Sequence, residues 1–320
     1  MINHEYESDA MHQWDSKLWS QQFSEYDGKV KNAMDANALR LLRMEVFFNT
    51  VSLVQQGWYL SENGNRMDLP DPSVMIENSC MYSEELTVPH SHQYETEITV
   101  AKQDCLLAAY DGVHNGYHTA VLNMADSWNP GGGVEGGAGA QEENLFRRTN
   151  LFQSLYQFDK DFGAKYGIVQ ANQQYPLDRN FGGVYSPGVT VFRGLEKEGY
   201  PLLEQPFSVD VISVAGLNRP DLDENGMIVS EHLLIIRNKM RTIFNIALQN
   251  QIECLILGAF GCGAFRNPPE QIARLFHELL ETEYQHQFKR IVFAIIDGHN
   301  SYKEHNKRGN YLPFAEEFLS

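Results

Sequence analysis

Apolar and polar positions along these 320 residues fall into two regimes. From about residue 95, short Val/Ile/Leu runs alternate with longer amphipathic stretches. The runs 97-EITVA-101, 119-TAVLNMA-125, 189-VTVFR-193, 209-VDVISVAG-216, 252-IECLILGA-259 and 290-RIVFAII-296 read as strands. Helical spacing marks a helix from Asp104 and helices over 141–158, 231–250 and 269–282. Continuous apolar strands alternating with helices predict an α/β protein with a buried, largely parallel sheet and helices on both faces. Ligands of such sheets bind at the carboxyl ends of the strands.

The first 94 residues follow a different pattern and read as a helical extension with a loop or insertion, packed on a core of residues 95–320 as one continuous unit. A helix is expected over 36–56, capped by Asp35 and ended by Gly57, and a hairpin over 58–69 with Asn63-Gly64 as its turn. Residues 1–34 are polar with scattered aromatics and fit short helices or a mobile arm. Residues 70–94, rich in Pro, Ser and acids, read as an ordered loop or an insertion.

Charge narrows the partners. The formal net charge is −17, whereas a general nucleic-acid surface draws its phosphate contacts mainly from Lys and Arg. An anionic ligand would have to be held largely by main-chain N–H groups and helix ends. Cys80, Cys105, Cys254 and Cys262 form no CxxC pair and no zinc-finger spacing, so no metal is expected. A reduced, intracellular protein is expected, cytoplasmic, or nuclear in a eukaryote. The N-terminus is polar and acidic, unlike a signal peptide. Apolar runs are short and broken by glycine, so no membrane span is expected.

Two glycine-rich stretches, 129-NPGGGVEGGAGAQEEN-144 and 257-LGAFGCGAFRNPP-269, each follow a strand and precede a helix. Glycine lets the backbone approach a ligand closely, and a loop that opens a helix presents N–H groups to an anion. The bland reading is a flexible loop whose Glu142 and Glu143 favour a helix start. The position past a buried strand favours a ligand loop, with the two acids about 100° apart on the helix and therefore in different roles. The second loop lacks both the Walker A and the GxGxxG pattern, and its Phe265 reads equally as core or as pocket wall. Without ligand-spaced partners, His90, His92, His114 and His118 read as solvated. Asp297 to Asn300 follow a strand on the ligand side. Arg147 and Arg148 can pair with phosphate or with acids of their own helix.

These residues carry a resemblance. The segment 131-GGGVEGGAGAQEE-143 resembles the GGG…QEE signature of poly(ADP-ribose) glycohydrolases. Its flanks, 121-VLNMADSWNPGGG-133 and 145-LFRRTNLFQSL-155, and the segment 257-LGAFGCGAFRNPP-269 are similar to the microbial branch of that family. The resemblance covers most of the chain from about residue 36. It implies a macrodomain-like three-layer sandwich with a mixed, mostly parallel sheet, and hydrolysis of the ribose–ribose bonds of ADP-ribose polymers without a cofactor. It implies Glu143 as general acid/base, Glu142 on ribose hydroxyls, Gln141 and Asn129 helping to seat that ribose, and Gly131, Gly132 and Gly133 around ribose and diphosphate. Gly261, Cys262, Gly263 and Ala264 would close over the diphosphate, with Phe265 against the terminal ribose. The expected partners are ADP-ribose, its polymers and ADP-ribosylated proteins, and the expected state is a monomer. The alternatives are a mono-ADP-ribosyl hydrolase acting on modified protein or nucleic acid, and an ADP-ribose-binding module without catalysis.

Overall fold

The computed structural model describes residues 14–91, 93–298 and 300–319. The N-terminal part begins with α1 (Ser16–Tyr26) and α2 (Ala33–Gln56), followed by the antiparallel pair β1 (Trp58–Leu60) and β2 (Arg66–Asp68). The segment expected to be loop or insertion instead supplies α3 (Ser73–Asn78) and the strand β3 (Cys80–Tyr82). Next come β4 (Glu97–Ala101), α4 (Cys105–His114), β5 (Thr119–Ala125), α5 (Gln141–Arg148), α6 (Leu151–Leu155) and α7 (Lys160–Tyr166). The remainder is β6 (Gly183–Arg193), β7 (Leu202–Ala215), α8 (Ser230–Gln249), β8 (Cys254–Leu257), α9 (Pro269–Glu281), β9 (Arg290–Ala294) and α10 (Tyr311–Leu319).

Seven strands form one sheet in the order β3-β6-β7-β5-β8-β9-β4, with β5 at its centre. The pairs β7/β5, β5/β8, β8/β9 and β9/β4 are parallel, while β6 is antiparallel to β7 and β3 antiparallel to β6. Alternate residues of the central strands serve opposite cores. Val121, Val211, Ile256 and Val292 pack with α2, α4, α5 and α6, whereas Leu122, Ile212, Leu255 and Phe293 pack with α8, α9 and α10. The result is a macrodomain-like three-layer sandwich. Each fully buried Val, Leu, Ile or Phe stabilises it by about 1.5–3 kcal/mol relative to exposure.

Several boundaries differ from the sequence pattern for local reasons. The N-cap of α2 is Asn32, whose Oδ1 accepts from Met34 and Asp35 N–H, and not Asp35; Gly57 ends the helix in the left-handed region, as the pattern required. The helix expected over 141–158 breaks at Thr149. There the backbone turns extended and bridges to Val191, and the Thr149 hydroxyl donates to the Leu145 carbonyl. α1 is docked through Trp19 and Phe23, which pack against Leu39, Val46 and Tyr200.

Candidate active site

β5 ends at Ala125, and the chain passes through Asp126 into the glycine-rich loop and then into α5. This loop is well braced. A Cβ on Gly137 would overlap the Arg40 carbonyl, and one on Gly139 would overlap the Arg43 guanidinium, so these glycines admit α2 against the loop. Arg43 donates to Glu196, Glu196 accepts from the Tyr200 hydroxyl, and that hydroxyl accepts from Arg147 Nε at 2.8 Å. Arg147 Nη1 returns to the loop through the Ala138 carbonyl at 2.8 Å. Arg147 is fully buried, and the Arg148 guanidinium donates to Asp104 and Asn144. The two arginines therefore brace the loop and α4, and neither pairs with an acid of its own helix.

The loop's main-chain donors face inward. Gly131 N–H donates to Glu142 Oε1 at 3.1 Å, and Asp126 N–H to Glu142 Oε2 at 2.7 Å. Gly133 and Ala140 N–H each donate to Glu143, one to each carboxylate oxygen, at 3.0 Å. The N–H groups of Gly132, Val134, Gly136, Gly137 and Ala138 close turns within the loop. The loop was expected to aim its donors at a bound anion; instead they bind the protein's own carboxylates. Gly132, at φ +54°, lies between the acids, and a Cβ there would be 2.7 Å from Glu143 Oε1 and 3.1 Å from Glu142 Oε2.

The two acids are thus separated in direction, as helix geometry requires. Glu142 points to the tip of β5, where Asn123 Nδ2 also donates to it at 3.2 Å. Glu143 reaches back to the helix N-terminus. Both are at least nine-tenths buried. Burial, and then the charge of Glu143, push the Glu142 carboxyl well above its ordinary value, against the pull of its three donors. Gln141 aligns the helix with the sheet: its Oε1 accepts from Met124 N–H and its Nε2 donates to the Leu122 carbonyl, main-chain groups beyond the last β5–β8 pair at Val121 and Ile256. Asn129 is exposed at the rim, its N–H on Asp126 Oδ1 and its carbonyl accepting from Gly132.

The second loop follows β8, and it meets the turn after β7 across the tip of β5. Asn267 Nδ2 donates to the carbonyls of Leu217, Gly261 and Phe265, and Arg219 N–H donates to the Phe265 carbonyl at 2.7 Å. The Phe265 ring lies beside Gly216 and is partly exposed. The N–H groups of Gly261, Gly263, Ala264 and Phe265 have no acceptor among the described residues. Cys262 is buried; its N–H closes a turn to Ala259 and its carbonyl accepts from Asn306 and bonds the His305 ring. The segment after β9 therefore buttresses this loop, with Asn300 packed near Gly263. His92 and His299 lie outside the described residues.

Two cavities, of about 370 and 220 Å³, lie at the other end of α5, around Pro72, Asn150 and Thr190, remote from both carboxylates. Among the described residues, no group of three or more His, Cys, Asp or Glu side chains converges to hold a metal, and no helix is long and apolar enough to cross a membrane. Asn123, Ser213, Asn267 and Tyr200 escaped the sequence reading. Asn123 did leave a signal there, a lone amide inside the apolar run TAVLNMA.

A paired carboxylate thus lies at the carboxyl end of the central strand of a macrodomain-like fold, under an arch from the two flanking strands. Residues 48–194 match the family model of the microbial-type poly(ADP-ribose) glycohydrolase catalytic domain. It is similar to the poly(ADP-ribose) glycohydrolase of Thermomonospora curvata, at 28% identity over 86% of this chain and 99% of that one, with a TM-score of 0.70. The same enzyme with the inhibitor ADP-HPD gives a TM-score of 0.69. The Deinococcus radiodurans enzyme in complex with ADP-ribose matches at 28% identity over 78% and 98% of the two chains, with a TM-score of 0.61. No curated protein matches the chain.

Proposed function

We propose that this chain hydrolyses the ribose–ribose O-glycosidic bond of ADP-ribose polymers and releases ADP-ribose, with Glu143 as the general acid/base. The observation that carries the residue assignment is the fixed carboxylate of Glu143. Gly133 and Ala140 hold it with one donor on each oxygen, at the carboxyl end of the central strand. A carboxylate has about four lone-pair sites, so each oxygen keeps an acceptor site for substrate or water.

The bond is an acetal between two riboses. Its cleavage needs a proton on the departing hydroxyl and a stabilised oxocarbenium-like centre. Glu143 gives its proton to the leaving oxygen, and as carboxylate takes one from the attacking water. Glu142 holds the shape of the β5 tip and offers its carboxyl to the ribose hydroxyls. The free amides of Gly261, Gly263, Ala264 and Phe265 suit the diphosphate, because the first loop's donors are engaged by the glutamates. Phe265 and Asn129 flank the ribose, and Gln141 acts by fixing the start of α5.

The test is incubation with labelled polymer and chromatography of the products. Release of ADP-ribose supports the reading. Polymer retained intact on the protein would identify a binding module, and release only from singly modified proteins or nucleic acids would change the bond that is cut.

A further inference from the structure

Below Gly132 lies a polar group that the mechanism above does not use. Asn123 is fully buried on the α5 side of β5, beside Ser213 of β7, and neither side chain reaches solvent. Its Nδ2 donates to Glu142 Oε1 at 3.2 Å and to Ser213 Oγ at 3.1 Å. Its Oδ1 is buried without a partner among the described residues. Such an orphan is costly in a folded protein, and natural structures seldom leave one without a role.

The surroundings of Glu142 supply the reason. Every group bonded to its oxygens is a donor: Gly131 N–H and Asn123 Nδ2 on one, Asp126 N–H on the other. A protonated carboxyl needs one acceptor for its O–H, and the unpartnered Oδ1 belongs to the side chain that already touches Glu142. The two ends of an amide exchange places by a half-turn about the last side-chain bond, with no change in shape. After that turn Oδ1 accepts from Glu142, the Ser213 hydroxyl, which accepted before, donates, and Nδ2 takes the place where Oδ1 had no partner among the described residues. The other ionisable groups facing Glu142 are Glu143 on the same helix, Asp126 at the β5 tip, and the buried phenols of Tyr156 and Tyr175, which feel the Glu142 charge and likewise lack partners. Among the described residues no cation adjoins the acid to favour its ionised form, and Glu143 opposes it.

We propose that Asn123 is a positioning residue for the glycosidic step: by turning its amide it accepts the proton of Glu142, keeps that acid neutral beside Glu143, and so leaves Glu143 free to cycle between acid and base. The proposal rests on the glycohydrolase reading. Glu142 exchanges its proton with solvent as the pH changes, and no group beyond those named takes part.

The experiment compares Asn123→Asp with Asn123→Leu in the full chain. Both side chains are close to the asparagine in size. Asp can accept from a protonated Glu142, and Leu cannot. Measured are polymer turnover across pH, ADP-ribose affinity and melting temperature. Asn123→Asp is expected to exceed Asn123→Leu in kcat by about tenfold or more. Its alkaline limb of kcat/KM should move to higher pH, because two adjacent carboxyls share one proton. Asn123→Leu should still bind ADP-ribose within a few-fold of the parent. A packing role alone predicts the reverse order, since Leu is tolerated in a core and a buried Asp is not; that order with unmoved limbs would overturn the proposal. Should Asn123→Leu fail to fold, the Asn123 side-chain amide signals of the parent decide by NMR. They should shift as rising pH ionises Glu142, whose carboxyl is held well above its ordinary value by burial and Glu143, and stop shifting in Glu142→Gln; amide signals that stay fixed as the pH rises would overturn it equally. A parent that releases no ADP-ribose from polymer would instead sink the functional reading.

Discussion

Gly132 and Glu143 are matched so closely that a single methyl group on the glycine would collide with the carboxylate. A Cβ at Gly132 would sit 2.7 Å from Glu143 Oε1, and the glycine adopts φ +54°, where side-chain-bearing residues are strained. Gly132→Ala is therefore expected to displace the acid by a fraction of an ångström or more. Turnover should drop by about a hundredfold, since misplacement on that scale is enough to spoil a near-attack geometry. ADP-ribose affinity, measured by calorimetry, should change far less.

The Tyr200 hydroxyl joins Arg147, Asn144 and Glu196 in one buried network behind the loop. Tyr200→Phe deletes one oxygen and leaves the Arg147 guanidinium short of a partner. The expected loss is about 1–3 kcal/mol of stability, from stranding a buried polar group. It is read as a lower urea midpoint at unchanged slope.

Glu142 makes stability depend on pH. Its carboxyl is raised in the folded state, first by burial and then by Glu143, relative to an unfolded value near 4.5. As pH rises past that unfolded value, the unfolded chain ionises first while the folded one keeps its proton. The stabilising contribution is thus fully present below the unfolded value and is lost as pH rises through the folded one. Urea unfolding across this range should show the parent weakening with rising pH and Glu142→Gln weakening less.

Asn267 ties the turn after β7 to the loop after β8 through three carbonyls. Removing the amide in Asn267→Ala releases the free donors of Gly261, Gly263, Ala264 and Phe265 from their fixed positions. KM for polymer is expected to rise by about tenfold, with a smaller fall in kcat, because the carboxylates stand on α5, away from this loop. Steady-state kinetics on polymer measures both.

The sequence made the sheet and the carboxylate loop readable because both depend on local pattern. Apolar runs such as 209–216 and 290–296 are buried on both sides, and glycines followed by QEE can serve few purposes. What it hid depends on distant partners. β3 carries only three residues and exists because β6 offers it an edge. The helix expected through 158 breaks because Thr149 finds a bridge to Val191. The direction of the loop's N–H groups was also out of reach, since an acid three residues into a helix can face solvent as easily as it folds back on its own N-terminus. Trp19 and Phe23 likewise gave no period that foretold their docking on α2 and Tyr200.

The measurement closest to the central claim is polymer turnover by Glu143→Gln, alongside its affinity for ADP-ribose. The side chain keeps its size, but its one amide oxygen can accept from only one of Gly133 and Ala140, and it holds no transferable proton. Turnover should fall by about a hundredfold or more while ADP-ribose affinity stays within a few-fold. A Glu143→Gln protein that degrades polymer at nearly the parent rate would contradict the assignment.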